Sequence, residues 1–300
     1  LDARNYFNPA PQVVPAFRLN QFGGGLGGPI VKDKFFFFAN YEAVRQRTGV
    51  SYSAFVPTGQ FRTSLPAVLQ PVAALLPLPN GPVSAAEPRL AQLSTSRVNE
   101  LREDTGLAKL DYQATGKDRF TFRLNDNNSF TKLYFGVADG QFRPVHSNLI
   151  TSKLGYTRTI TSTSLNEAAF MVNRVRTDDP SAATDAHSAF PQVTLGGGSA
   201  YVGPATFDLS VGNNVFTWID TLSWVNGRHQ VKAGVQIMRI QTNKEMIPEV
   251  YINYLNLDNF AANRPYSIST QGWPRVGMRG TYNEFFVQDD FKVSNKLTIN

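Results

Sequence analysis

Three histidines, His146, His187 and His229, lie far apart in the 300-residue chain, and none has a carboxylate at metal-ligand spacing. Solvated positions in or beside connections suit them better than a metal site or a catalytic base. The pairs Glu103-Asp104 and Asp178-Asp179, the latter followed by Pro180, offer oxygens to calcium, but two adjacent acids fall far short of a regularly spaced ligand set. No Gly-x-Ser-x-Gly occurs, and no serine, histidine and acid stand at a spacing that argues for a triad. Cysteine is absent, which removes disulfides, thiolate ligands and thiol nucleophiles. The glycine run 23–28 lacks the Lys-Ser or Lys-Thr of a phosphate loop and leads into a strand rather than a helix. The residues predict no catalytic group, no metal and no cofactor, and hence no enzyme.

The more informative charges are those that alternate with oily neighbours. In 119–125, Phe120, Phe122 and Leu124 point one way while Arg119, Thr121, Arg123 and Asn125 point the other. Val231, Val235 and Ile237 oppose Lys232 and Gln236 in the same manner; Leu110 and Tyr112 oppose Lys109 and Asp111; Leu154 and Tyr156 oppose Lys153 and Thr157. Each stretch is a strand with one apolar and one wet face. Further strands are expected at 21–30, 35–43, 166–173, 215–224 and 281–291, with the beginning of another from Leu297. Only 65–76 has helical periodicity, and Pro66, Pro71 and Pro77 confine it to a turn or two. The chain reads as all-β, with ten strands.

Composition narrows what such a chain can be. Only 17% of residues are charged and 12% are aromatic, with 22 Phe and 11 Tyr, yet mean hydropathy is −0.24. No apolar run approaches the roughly 18 to 20 residues of a membrane-spanning helix. The net charge of +6 comes from 29 Lys and Arg scattered without a run of four, which argues against nucleic acid as a partner.

The connections alternate in length. Short polar turns are expected at 31–34, 115–118, 161–164, 226–229 and 292–296, and long ones, rich in Pro, Gly, Asn and Ser, at about 56–101, 126–148, 174–213 and 241–278. A soluble sandwich has no reason to put all short turns at one end, since both ends meet the same water. A barrel inserted through a membrane does, with short periplasmic turns and long outer loops. Within hydrocarbon every backbone polar group must be paired, so a closed sheet or helices alone can span. Aromatic residues beside the short turns, Phe35, Tyr112, Phe120, Trp224 and Phe291, match an interfacial girdle. The lipid-facing candidates are then Phe120, Phe122, Leu124, Leu154, Val231, Val235 and Ile237. The candidates facing the lumen or a plug are Gly23, Gly25, Gly27, Lys109, Asp111, Arg123, Lys153, Lys232, Glu284 and Asp290. The glycines leave one face of their strand bare, which suits close approach of another backbone or of a body filling the barrel.

The stretch Asn20 to Phe38, reading NQFGGGLGGPIVKDKFFFF, resembles the start of the barrel in TonB-dependent outer-membrane receptors of the Oar-like type. Segments resembling the same family follow in the same order: 111–122 from Asp111-Tyr112-Gln113, LGYTRT at 154–159, GRHQVKAG at 227–234 and FFVQDDFKVS at 285–294, which has Phe291 where Trp is common. The resemblance spans essentially all 300 residues. It implies a partial transmembrane antiparallel β-barrel, ten strands of about 22, with residues 1–17 as the first outer loop and 18–300 as strands, turns and loops. It also implies a signal peptide, a carboxypeptidase-regulatory-like domain and a plug upstream of this segment. The implied partners are membrane lipid, the protein's own plug domain, the inner-membrane TonB complex and an unknown substrate at the cell surface. The implied location is the outer membrane. By itself such a segment is expected neither to close nor to fold stably, since it has two unpaired edges.

Two other readings stay open at this point. A structural or adhesive outer-membrane barrel would have the same wall without active transport. A soluble β-rich binding module would have the alternation but a buried core. The loop aromatics Tyr201, Phe207, Tyr251, Tyr254, Phe260 and Trp273 either stack on a glycan or peptide or pack the loops together.

Overall fold

The computed structural model describes residues 16–138, 140–180, 190–197, 200–203 and 209–300, except for the side chains of Ile247, Trp273 and Pro274. Its strands are β1 (Phe17–Val31), β2 (Phe35–Pro57), β3 (Leu90–Gln113), β4 (Asp118–Tyr134), β5 (Phe142–Thr161), β6 (Ser164–Asp179), β7 (Gln192–Thr194), β8 (Tyr201–Val202), β9 (Leu209–Asn226), β10 (His229–Asn253), β11 (Ser267–Ser294) and β12 (Leu297–Ile299). Among the described residues, three short helices, α1 (Gly59–Ser64), α2 (Gln70–Ala74) and α3 (Leu257–Ala261), lie in connections. Among the described residues no helix is long and apolar enough to cross a membrane.

Ten strands form one antiparallel meander in the order β1-β2-β3-β4-β5-β6-β9-β10-β11-β12, and β7 and β8 attach at the far end of β10. The sheet does not close on itself: β1 and β12 are its edges. The sequence expectation of ten strands in a partial antiparallel sheet is met. All five short turns fall at one end of the sheet. In one of them, the two-residue turn Gly227-Arg228 between β9 and β10, Gly227 takes a φ of 60°.

The register shows how the strands lean. One row of partners starts at Phe35, the first residue of β2, and runs through Tyr112, Phe120, Tyr156, Ala168, Asp220 and Val235 to Phe285. Phe285 stands nine residues before the end of β11 at Ser294. The short-turn ends therefore slip about nine residues across eight strands. At about 3.4 Å per residue and about 4.8 Å between strands, turns that share one plane require the strands to tilt by roughly 40°. That is the tilt of a membrane barrel wall.

Three expectations need correction. The strands run far beyond their apolar stretches, to 23 residues in β2 and 28 in β11, so much of each long connection is strand. The continuation of β4 through Asp126, Asn127, Asn128 and Ser129 is polar on both faces; it carries no alternation because both faces leave the apolar zone there, while the ladder to β3 and β5 continues. Phe17 belongs to β1 rather than to an outer loop, and the rest of 1–17, apart from Ala16, lies outside the described residues. Finally, α1 and α3 add two helices outside the expected patch; each is a single turn or so, too short to show a period, and starts at a capping side chain, Thr58 or Asn256.

Candidate functional site

Pairing sorts the wall into two faces, because directly opposed residues point the same way. The row beside the girdle, Leu110, Phe122, Leu154, Phe170, Trp218 and Ile237, is apolar across six strands. Phe120, Leu124, Val231 and Val235 share its face. All seven residues that the sequence assigned to lipid thus stand on one side. Large apolar side chains there remain open: Leu154 exposes 51% and Trp218 45% of its surface, although each strand is flanked on both sides. Next to the turns the rings form contacts of their own. Phe35 meets Tyr112 edge-on at 5.7 Å, Phe120 stacks on Tyr156 at 4.8 Å, and Phe291 stacks on His229 at 4.5 Å.

Among the polar residues on this face is one that alternation concealed. Asp220 lies in the same row as Phe120 and Val235 and accepts a hydrogen bond from Asn166 Nδ2 at 2.5 Å. Around them runs an open groove of about 810 Å³, where Ala233 and Asn166 sit beside the larger Leu222 and Phe285.

The other face holds Gly23, Gly25, Gly27, Lys109, Asp111, Arg123, Lys153, Lys232, Glu284 and Asp290. Asp111 receives Lys109 at 2.7 Å and Arg119 at 3.0 Å; Gln236 donates to Glu284 at 3.2 Å and Gln288 to Asp290 at 3.0 Å. Lys109, Arg123 and Lys153 are direct neighbours in one row. Three cations side by side are unfavourable unless an anion lies over them, and Asp111 answers only the first. A side chain at Gly23 would strike the Tyr41 carbonyl oxygen at 2.3 Å, so the close neighbour of the bare glycine face is the backbone of β2. In the tetraphenylalanine stretch, Phe35 and Phe37 share the apolar face and Phe36 and Phe38 the charged one.

Above the wall the long connections fold into one cap. Val56, Phe61, Leu65, Leu69, Val72, Leu76, Leu90, Val137, Val193, Leu195, Tyr254, Leu257 and Phe260 form a single buried cluster, drawn from all four connections and the strand ends beside them. Among the strand residues that join it, Tyr52, Ala54 and Val56 of β2 and Leu93 of β3 share the register of Phe38 and Lys109, while Leu90, the first residue of β3, has the opposite one. The cap therefore leans over the charged side of the wall. Arg62 locks it with donors to three carbonyls, Pro57 at 2.9 Å, Leu76 at 2.6 Å and Pro77 at 2.7 Å, and burial holds its pKa below the usual arginine value. Arg89 joins Glu87 at 2.7 Å to Asp258 of α3 at 2.6 Å, and this guanidinium lowers the pKa of the Glu87 carboxyl.

The remaining expectations fall into place on this frame. Tyr254 and Phe260 meet edge-on at 5.1 Å inside the cap core, so they pack loops together. Tyr201 and Tyr251 are half-buried; Phe207, His187 and the Trp273 side chain lie outside the described residues. His146 stands within β5 against Phe130 at 4.7 Å, rather than in a connection. The adjacent acids cannot share a cation because neighbours on a strand face opposite ways. Asp178 bonds Arg176 and Ser210 while Asp179 bonds Arg143; Glu103 bonds Asn127 while Asp104 bonds Arg45 and Tyr41.

A family model described as an outer membrane beta barrel domain matches residues 1–68 and 63–300. The chain belongs to this family. The protein is an outer-membrane β-barrel segment, and the reading as a soluble module falls. In solved structures it is similar to the outer membrane transporter YddB from Escherichia coli, with a TM-score of 0.59 and 11% identity over 92% of this chain and 32% of that one. This likeness is one of fold, and the chain spans about a third of the transporter's length. No curated protein matches the chain.

Proposed function

We propose that this segment is wall and outer mouth of a TonB-dependent receptor of the Oar-like type, which moves or binds a bulky substrate at the cell surface without transforming it. The observation that carries the reading is the charged face. Ten tilted strands leave the sheet unclosed, and among the described residues no carboxylate contacts Arg123 or Lys153 on their charged side. Small barrels fill themselves with side chains, whereas 22-stranded outer-membrane transporters enclose a lumen that a plug occupies. A plug carrying carboxylates would answer Lys109, Arg123 and Lys153. Energy would enter through a TonB complex of the inner membrane acting on that plug, and no cofactor is needed in the wall.

The cap favours a second reading, a structural or adhesive barrel, because an ordered hydrophobic core over the mouth presents a fixed surface. One measurement separates the two: binding of the purified complete protein to the periplasmic domain of TonB. Saturable binding that disappears when the segment upstream of the plug is deleted supports transport. No binding by a folded, plugged barrel would overturn it in favour of adhesion.

A further inference from the structure

The outward face changes character where the apolar rows end. Arg18, Arg45, Arg47, Arg102, Arg174 and Arg176 share the register parity of Leu124 and Ile237, so they are on the lipid side of the wall. Each stands ten to thirteen residues from the short-turn end of its strand, at Val31, Phe35, Gln113 or Ser164. With the tilt derived above, each residue climbs about 2.6 Å, which puts these guanidinium groups roughly 26 to 34 Å above the turns. An apolar band about 25 Å tall ends just below that height. The arginines thus ring the wall at the level of the opposite membrane surface.

Two features show that this ring is short of negative charge. Arg18 is the direct cross-strand partner of Arg47, and Arg45 of Arg102, two like-charge pairs that are costly without an anion. Arg45 is satisfied by Asp104 at 2.7 Å; the other five and Arg275, six guanidinium groups, face three carboxylates at this level, Glu100, Asp178 and Glu245, the last paired with Arg275 at 2.8 Å. No carboxylate contacts Arg18 or Arg174 among the described residues. Arg18, Asn20, Arg45, Arg47, Glu100 and Arg102 line a recess of about 380 Å³, and Arg174, Arg176 and Arg275 together with Glu245 help line a second of about 410 Å³ at the same level.

We infer that these two recesses bind the phosphate groups of a phosphorylated glycolipid in the outer leaflet. Forked guanidinium donors match phosphate oxygens two at a time, and a lipid already lying against the apolar rows below brings its headgroup to this height without further ordering. The inference rests on the reading that the cap faces the cell exterior; it does not depend on TonB.

The test uses the complete barrel, folded in neutral detergent and probed by native mass spectrometry with bisphosphorylated lipid A and with the same lipid after removal of its phosphates. The wild type is expected to retain the phosphorylated form at least roughly tenfold better. Combining R18Q with R47Q should abolish one binding event, and R174Q with R176Q the other. Exchange of Lys117 and Lys296 for Gln in the short turns at the other membrane surface should leave both. Millimolar inorganic phosphate should not compete, since it lacks the acyl chains. Equal retention of the two lipids, full displacement by free phosphate, or equal loss in the turn variant would overturn the inference. Should a double variant fail to show the heat-modifiable gel mobility of a folded barrel, R18Q alone serves, because it breaks no ion pair. A barrel that holds lipid but not TonB would keep this inference and remove the proposed function; the reverse result would do the opposite.

Discussion

In the wall Leu154 and Trp218 keep about half of their surface uncovered, at 51% and 45%, whereas in the cap Leu257 and Phe260 keep none. The same residue types are used for opposite ends. In the wall the backbone ladder is satisfied between strands and the apolar side chains are turned towards a solvent that welcomes them, so the wall has no core and needs none. The cap stands in water and holds together as a soluble domain does, by taking Phe61, Leu76, Leu90 and Phe260 out of it. The two regions share strands, since Val56 and Leu93 belong to β2 and β3, but they draw stability from different environments.

The largest effect that could break this comparison is a cavity in the cap. Phe260→Ala should cost about 3–5 kcal/mol, as for other large core truncations. The loss should stay local: hydrogen exchange and protease cutting within 58–89 and 254–266 should rise while the wall keeps its ladder and its resistance to detergent. If the wall opened together with the cap, the two would be one cooperative unit and the comparison would fail.

The next effect belongs to the wall. In the complete barrel folding into bilayers, Phe122→Arg or Val235→Arg should cost roughly 2–4 kcal/mol, and Trp224→Arg, two residues from the short turn, only about 0–1 kcal/mol. A soluble core shows no such dependence on depth. Equal costs at the three positions would show that the face bearing Phe122 does not meet lipid.

What could be read in advance follows the same division. The wall was legible wherever its two faces meet different media: Arg119 to Asn125 and Val231 to Ile237 alternate because lipid lies on one side and polar surroundings on the other. Where both faces leave the lipid zone, as at Asn127 to Ser129, the strand persists through its neighbours and leaves no periodic trace. Asp220 was hidden for a related reason, since its neighbours Trp218 and Leu222 carry the apolar pattern across it. The cap was illegible as a unit because its contacts join residues such as Phe61 and Leu257, remote in sequence, and no local rule pairs them. The helical patch 65–76 was its only local sign. The row of Lys109, Arg123 and Lys153 was visible as three separate charges; only the register makes them neighbours.

A smaller effect sharpens the description of the cap. Arg62 is held by carbonyls rather than by an acid, so Arg62→Met keeps its aliphatic stem and strands the oxygens of Pro57, Leu76 and Pro77. Each acceptor left without a partner costs about 1–3 kcal/mol where water cannot reach it, and less where it can. Exchange rates in 58–77 should rise for Met and rise less for Arg62→Lys, which restores a charge and fewer donors. Identical rates in the two variants would mean that packing of the stem, not the carbonyl bonds, is what Arg62 supplies.

The smallest effect is one of pH, and it distinguishes the link between α3 and the connection leading into β3 from the apolar core beneath it. Arg89 lowers the Glu87 pKa, so the folded cap binds this proton less readily than the unfolded chain does. A carboxyl shifted in that direction stabilises the fold at pH above its unfolded value, and the contribution fades as pH falls through the lower folded value. Acidification below the ordinary glutamate range should therefore loosen 84–90 against 254–262 before the core of Phe61 and Phe260 yields, because burial of those rings does not titrate. In Glu87→Gln the same segments should already exchange faster at neutral pH and change less on acidification. A variant as acid-sensitive as the wild type would move the titrating contact to another carboxylate of the cap, with Asp258, 2.6 Å from the same guanidinium, as the residue to exchange next.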